Sequence, residues 1–318
     1  MNSMEMAVKA LETSLVPTPL VRLRWADYRV WAKCEFAHPT GSHKDRAYIR
    51  MILDLWSKGQ LRPGVTLCDY TTGNGGISLA SIGRRLGLPV RVFMPAGLTA
   101  EREEMIRQCG AELVLTPHQG FVAEARAAAE EWVQTQNGQA ILISQSDNPI
   151  NRAAFEQAGE EIAADLRSAG VVPSTFVCGI GTGGVFSGIA TALRKQYPKM
   201  RTVAIEVPQA PAIFAKRRGE TMIPKPHRLF GFGPGKIAPN TLEDLVDDVE
   251  LVDYDETIPV LEEIASEEGL LLGPTSAANA LVARRCAERQ KEEDGAVITV
   301  FFDRQDRYPS RPSKVREG

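Results

Sequence analysis

A chain of 318 residues, 43% hydrophobic and 24% charged, can bury a sizeable core, and at roughly 150 residues per domain it predicts about two domains. A net charge of −3 and a pI near 5.9 argue against nucleic acid or a membrane surface as partner and favour small-molecule substrates. The five cysteines, Cys34, Cys68, Cys109, Cys178 and Cys286, are odd in number, widely spread and without a CxxC pair. That pattern suits buried thiols in a reducing compartment better than disulfides or zinc ligands.

The N-terminal stretch MNSMEMAVKALETSLVPTPL carries acidic residues where a secretory signal needs a basic start and a long apolar run, so a cytoplasmic protein is expected. From there, short apolar runs alternate with runs of helical period. Strands are predicted over Arg29–Cys34, Val65–Tyr70, Val90–Met94, Glu112–Leu115, Ala140–Ser144, Thr175–Cys178, Thr202–Val207, Glu250–Val252 and Val297–Phe302. Helices are predicted to begin near Asp45, Gly76, Ala100, Phe121, Asn151, Val185, Thr257 and Ser276. Strand then helix, repeated, predicts an α/β fold with a mostly parallel sheet. Between Gln209 and Asn240 the chain is rich in Pro, Gly and basic residues, as functional loops are. The tail YPSRPSKVREG reads as loose.

Three stretches carry chemistry. VCGIGTGGVFSGIA follows a strand and opens a helix, where backbone N–H groups and the helix dipole can hold a phosphate. Gly179, Gly181 and Gly184 also match G-x-G-x-x-G, with Glu206 at about the distance of a ribose-binding acid, so a dinucleotide reading stays open at this point. YTTGNGGISLA is a second polar turn before a helix, suited to a carboxylate, although Thr and Asn there equally suit a plain helix cap. In PTGSHKDRAY, Lys44 stands behind small residues at a helix start, where the positive helix end destabilises its ammonium. A lysine of lowered pKa is the amine that a Schiff base with an aldehyde cofactor requires. Phosphate cradle, carboxylate turn and activated lysine together point to pyridoxal phosphate.

With those motifs in place the chain resembles the fold-type II pyridoxal-phosphate enzymes, and most closely the cysteine synthase (O-acetylserine sulfhydrylase) family. VPTPLVRL, PTGSHKDRA, TTGNGG, MPAGLTAEREEMIRQCGAELVLT, SQSDNPIN, GIGTGGVFSG, GFGPGKIAPN, EEGLLLGPTSAAN and DRQDRY follow in the family's order over nearly the whole length. The resemblance implies two three-layer α/β domains with mostly parallel sheets, of the tryptophan synthase β-subunit type, with pyridoxal 5′-phosphate between them. The large domain would comprise 1–40 and 148–318, and the small mobile domain 41–147. By the same resemblance Lys44 holds the cofactor as a Schiff base and then moves the substrate's α-proton. Asn74 meets the cofactor's phenolic oxygen. Gly181, Thr182, Gly183 and Gly184 hold its phosphate, and Thr275, with Ser276 beside it, meets its ring nitrogen. Thr71, Thr72, Gly73, Asn74 and Gln145 hold the substrate carboxylate.

The activity so implied is β-replacement on O-acetylserine or O-phosphoserine through an aminoacrylate, giving cysteine or a related β-substituted alanine, in a homodimer. The alternatives are β-elimination to a 2-oxo acid and ammonia, and a cofactor-binding regulatory protein that has lost efficient catalysis. Departures from the family pattern carry their own expectations. The substrate loop T-S-G-N-T becomes Thr71-Thr72-Gly73-Asn74-Gly75, which should remove a hydroxyl contact and open space; Ser146, where phenylalanine is common, should enlarge the site further. Val185 replaces a threonine, with Ser187 as the substitute phosphate contact, and Thr275 replaces a serine. Lys236 reads equally as a solvated loop lysine or, with Lys216, Arg217 or Arg218, as an attractor of an anionic leaving group or nucleophile. His43 reads as a packing residue, and His38, His118 and His227 are too scattered for a metal site.

Overall fold

The computed structural model describes residues 3–233, 235–291 and 295–309, so most of the tail expected to be loose lies outside the described residues. Strands β1 (Leu20–Leu23), β2 (Val30–Cys34), β3 (Thr66–Tyr70), β4 (Val90–Pro95), β5 (Glu112–Thr116), β6 (Ala140–Leu142), β7 (Pro173–Gly179), β8 (Arg201–Glu206), β9 (Asp248–Leu251) and β10 (Ala296–Phe301) form two sheets. The larger runs β1-β2-β10-β7-β8-β9 and the smaller β5-β4-β3-β6. Every pairing is parallel except β1 with β2 at one edge.

The helices are α1 (Ser3–Glu12), α2 (Lys44–Ser57), α3 (Asn74–Leu86), α4 (Ala100–Gln108), α5 (Phe121–Thr135), α6 (Pro149–Ser168), α7 (Gly184–Gln196), α8 (Ala212–Arg218), α9 (Tyr254–Glu268) and α10 (Pro274–Arg289). Strand side chains alternate between faces, and both faces are apolar because helices cover both. Phe176 and Cys178 of β7 and Ile298 and Val300 of β10 join the core with Phe155 of α6 and Phe186 of α7. Their neighbours Val177, Val297 and Phe301 pack instead with Ala277 and Val282 of α10 and Val260 of α9. In the smaller sheet Cys68, Tyr70 and Phe93 meet α5, while Leu67, Val92 and Met94 meet α3.

Two features set the position of the site. A Cβ on Gly188 would lie 2.4 Å from the Arg152 carbonyl, and one on Gly159 2.9 Å from the Ile189 carbonyl, so glycines let α6 and α7 lie backbone to backbone. The start of α2 is fixed by a buried ion-pair network: Arg46 bonds both oxygens of Glu35 at 2.9 Å and those of Glu161 at 2.8 and 2.9 Å, and Lys33 reaches Glu161 at 2.8 Å. One arginine thus joins the turn after β2, α2 and α6. The five cysteines are unpaired thiols; burial pushes that of Cys34 up to about 12.

Candidate active site

In open parallel sheets, ligands bind beyond the carboxyl ends of the strands. Here the segments after β3, β7 and β10 meet in one cleft between the sheets. Lys44, Asn74, Gly181, Thr182, Gly183 and Thr275 all line it, together with His43, Gly179, Val185, Phe186, Gly231, Phe302 and Asp303. Four helix N-termini converge there: Lys44 opens α2, Asn74 opens α3, Gly183 caps α7 and Thr275 is the second residue of α10. Their unpaired N–H groups and dipole ends make the cleft electropositive without requiring many charged side chains.

Lys44 stands at the centre. Asp45 tightens the turn before it by accepting hydrogen bonds from the Thr40 N–H at 2.7 Å and hydroxyl at 2.6 Å. Burial brings the Lys44 ammonium down to about 8, against the pull of the Asp69 carboxylate. Burial in turn pushes Asp69 up to about 6, opposed by hydrogen bonds from the Tyr48 hydroxyl and the Tyr70 and Gln145 N–H groups and by the Lys44 charge. Lys44 is therefore partly neutral at physiological pH. His43, held well below the ordinary histidine range by burial and the neighbouring Lys44 charge, packs on Phe302 at 4.9 Å and Phe155 at 6.0 Å.

The turn from β7 into α7 is a cradle of backbone. Gly183 takes φ +80°, and a Cβ on it would lie 2.6 Å from the Thr241 nitrogen; one on Gly181 would lie 2.4 Å from the Gly231 carbonyl. A Cβ on Gly184 would lie 2.5 Å from Asn151 Oδ1, whose Nδ2 donates to the Thr182 hydroxyl at 3.1 Å. The first intrahelical acceptor, Gly183 O, bonds the Ser187 N–H at 3.0 Å, so the N–H groups of residues 184–186 have no partner within the helix.

The turn from β3 into α3 faces the cradle. The Thr71 hydroxyl accepts the Gly73 N–H at 3.1 Å, and that of Thr72 donates to the Phe230 carbonyl at 3.0 Å. Gln145, after β6, is buried beside it, with Nε2 3.5 Å from the Tyr70 carbonyl and Oε1 without a hydrogen-bond partner. Asn74 is gripped at both ends: Nδ2 donates to Asp303 Oδ2 at 2.7 Å, and Oδ1 accepts from Arg307 at 2.9 Å. Tyr308 also donates to Asp303 Oδ2, at 2.8 Å.

The donor set fits pyridoxal 5′-phosphate: an N–H cradle too tight for side chains, a desolvated lysine, and a hydroxyl at Thr275. The sequence pattern of the family described as "Pyridoxal-phosphate dependent enzyme" matches residues 11–303. The chain belongs to that family. Cysteine synthase A of Escherichia coli (strain K12) is 34% identical over 297 residues, covering 92% of this chain and 91% of that protein. Among solved structures, O-ureido-L-serine synthase matches with a TM-score of 0.87 at 31% identity, over 97% of this chain and 96% of that one. The O-acetylserine dependent cystathionine beta-synthase from Helicobacter pylori matches at 0.85 and 29%, over 96% and 98%. This is a pyridoxal-phosphate-dependent enzyme of the cysteine synthase-like kind, with pyridoxal 5′-phosphate as cofactor.

Within this pyridoxal-phosphate enzyme, several residues lie apart from the cleft or do other work. The Ser276 hydroxyl accepts the Phe302 N–H at 2.8 Å, behind Thr275. That of Ser187 accepts the Leu242 N–H at 2.9 Å and so binds the chain rather than standing in for the threonine replaced by Val185. Glu206 accepts the Ile213 and Phe214 N–H groups, each at 2.9 Å, capping α8 rather than awaiting a ribose. Lys236 lines an adjoining crevice with Glu206, Phe232 and Gly181, which also borders the Lys44 cleft. Lys216 pairs with Glu243 at 2.8 Å, Arg217 bonds the Val246 and Asp247 carbonyls, and Arg218 pairs with Glu220. The space expected at Gly75 is filled: the Tyr48 hydroxyl would lie 2.5 Å from a Cβ there. The sequence alone assigns no role to Tyr48, Asp69, Asp303 or Arg307, although PTGSHKDRAY ends on Tyr48 and DRQDRY contains both Asp303 and Arg307.

Proposed function

We propose that the enzyme performs β-replacement on an O-activated L-serine, O-acetylserine or O-phosphoserine, giving cysteine or a related β-substituted alanine. The observation that carries this reading is the convergence of four helix N-termini around Lys44. Two anionic groups, a phosphate at α7 and an amino-acid carboxylate at α3, are thereby held on either side of one desolvated amine. When bound, the cofactor withdraws electrons from the substrate's α-carbon and so loosens first the α-proton and then the β-substituent.

The chain's own residues do the rest. The free N–H groups of α3 and the amide of Gln145 hold the donor carboxylate and turn its α-hydrogen toward Lys44. Lys44 Nζ, partly neutral at physiological pH, takes that proton as general base and returns it as general acid once the nucleophile has added at the β-carbon. Asn74, fixed by Asp303 and Arg307, holds one orientation at the mouth of α3. Thr275, which lines the cleft, would offer a hydroxyl to the cofactor's ring nitrogen, a weaker electrostatic partner than a carboxylate, which suits prompt departure of a β-substituent.

The segment 41–147 acts as the mobile unit and closes the carboxylate turn over the donor to exclude water. Its α2 is clamped to α6 through Arg46, so the motion centres on the smaller sheet. The enzyme works as a cytoplasmic homodimer on small molecules; among the described residues no helix is long and apolar enough to cross a membrane. β-Elimination shares every step up to loss of the leaving group. The space that Gly75 was expected to open, which would have favoured elimination, is occupied by the Tyr48 hydroxyl, and this supports replacement.

The test is a visible spectrum of the cofactor-loaded protein titrated with O-acetylserine and O-phosphoserine, followed by sulfide. A spectral change with one donor and cysteine on adding sulfide is expected. Pyruvate without cysteine would establish elimination, and an unchanged spectrum with both donors would overturn the choice of substrate.

A further inference from the structure

Gly75 lies outside the set of glycines with positive φ, so its lack of a side chain is a matter of space alone. A Cβ there would lie 2.5 Å from the Tyr48 hydroxyl, 2.9 Å from Gln145 Nε2 and 3.0 Å from Thr71 Oγ1. Three polar groups, from α2 and from the segments after β6 and β3, thus converge on one point beside the second residue of α3. Tyr48 reaches that point because it stands one turn along α2 from Lys44, on the same helix face. It is fully buried, and its hydroxyl donates to Asp69 Oδ2 at 2.6 Å. Asp69 is anchored in turn, with Oδ1 accepting the Tyr70 N–H at 2.9 Å. A phenol tied to a buried carboxylate on a central strand has one available position. The groups packed around it, the Gln145 amide and Thr71, belong to the turn that faces Lys44, and Gln145 Oε1 is left buried without a partner.

We propose that Tyr48, held by Asp69, is a positioning residue for donor recognition: its hydroxyl and the bare backbone of Gly75 form one complementary unit that sets Gln145 and Thr71 against the donor. The inference rests on the reading of residues 71–75 as the carboxylate turn. A side chain at 75 and a hydroxyl at 48 exclude each other. Substituting one position therefore changes what the other tolerates, which is the signature of directly coupled sites.

A double-mutant cycle tests this on the cofactor-loaded enzyme, with Gly75→Ala, Tyr48→Phe and the two combined. Gly75→Ala is expected to raise the donor KM about tenfold or more, the effect of overpacking a filled site. Tyr48→Phe raises it less, and the double variant recovers part of the loss, because the phenyl ring lacks the nearest of the three atoms that meet the new methyl, while Gln145 Nε2 and Thr71 Oγ1 remain beside it. The KM for the nucleophile stays unchanged throughout, a split that general loosening of the fold would not produce. Urea midpoints of the same four proteins without cofactor supply a second cycle that needs no activity. If Gly75→Ala alone does not fold, rescue of folding by Tyr48→Phe supports the pair. Additive effects in both cycles, or an unchanged donor KM in Gly75→Ala, would overturn it. Should the wild type turn over neither donor, the substrate reading fails while the urea cycle still decides the coupling.

Discussion

The two glycine-rich turns that face each other across the cleft are built from different material. Around the phosphate cradle backbone helps to forbid a side chain at two positions, through the Gly231 carbonyl beside Gly181 and the Thr241 nitrogen beside Gly183, while the Phe232 ring beside Gly179 and the Asn151 amide beside Gly184 do so at two others. Around the carboxylate turn they are side chains: Arg102 beside Gly73, Tyr48, Gln145 and Thr71 beside Gly75, and Val92 and Ile106 beside Gly76. Backbone cannot be exchanged by substitution, whereas side chains can. At Gly181 and Gly183 the half of the site that holds an unchanging phosphate is therefore locked, and the half that meets the substrate, where every close neighbour is a side chain, can be reshaped by paired substitutions.

The largest effect should come from the residue between the two halves. Lys44→Ala is expected to lower turnover by about 10³-fold, within the usual range for a lost acid–base group. The cradle does not depend on Lys44, so the variant should still bind pyridoxal phosphate non-covalently, measured by equilibrium dialysis. Loss of cofactor binding together with turnover would show that the two halves are not separable. Next in size is Gly181→Ala, which drives a methyl toward the Gly231 carbonyl. Overpacking of about 1–3 kcal/mol would weaken cofactor affinity about 5- to 150-fold. Since residue 231 is already glycine, no truncation there should restore it, in contrast to the rescue expected between positions 75 and 48.

The charge on Lys44 gives a third, smaller effect. Its ammonium lies at about 8, well below an ordinary lysine, so modification of Lys44 in the cofactor-free protein by an amine-selective reagent should be half-maximal near pH 8. The Asp69 charge raises the Lys44 value; Asp69→Asn removes it and should move the midpoint to lower pH. A midpoint near 10 in the wild type would mean that burial does not activate Lys44. Stability carries the same asymmetry in another form. Arg46→Ala leaves the fully buried Glu35 without its main ionic partner, while Glu161 keeps Lys33, and should destabilise the fold by about 3–5 kcal/mol, read from urea unfolding.

Much of this was legible in the sequence because each functional motif is local. A glycine-rich or polar turn followed by a helix start carries its own phosphate or carboxylate chemistry, and the predicted starts of α2, α3, α7 and α10 lie within two residues of those observed. What escaped was set by contacts across the chain. β1 is a four-residue strand just after Pro19, recognisable only by its pairing with β2. α8 sits in a stretch of mixed Pro and basic residues and is capped by Glu206 from the preceding strand. Tyr48 looks like an ordinary apolar helix position until β3 brings Asp69 to it. Asp303 and Arg307 meet Asn74 only because β10 ends beside the mouth of α3. The expectation that Gly75 opens space failed for the same reason: a missing side chain was visible in the sequence, but the neighbour that fills its place was not.

The smallest effect concerns Lys236 and sharpens the contrast from outside the cleft. Lys216, Arg217 and Arg218 are engaged with Glu243, the Val246 and Asp247 carbonyls and Glu220, so the attraction of anions proposed for this basic group rests on Lys236. It borders the crevice on the far side of Gly181, behind the locked half of the site. A charge so placed acts through the field rather than by contact, and such effects are modest and screened over about 10 Å at 0.1 M salt. Lys236→Ala should raise the KM for O-phosphoserine about two- to fivefold at low ionic strength, leave that for O-acetylserine unchanged, and lose the difference in high salt. Equal KM values in wild type and variant for both donors at low salt would make Lys236 a solvated loop residue. Specificity would then lie wholly in the carboxylate turn, the half whose walls are side chains.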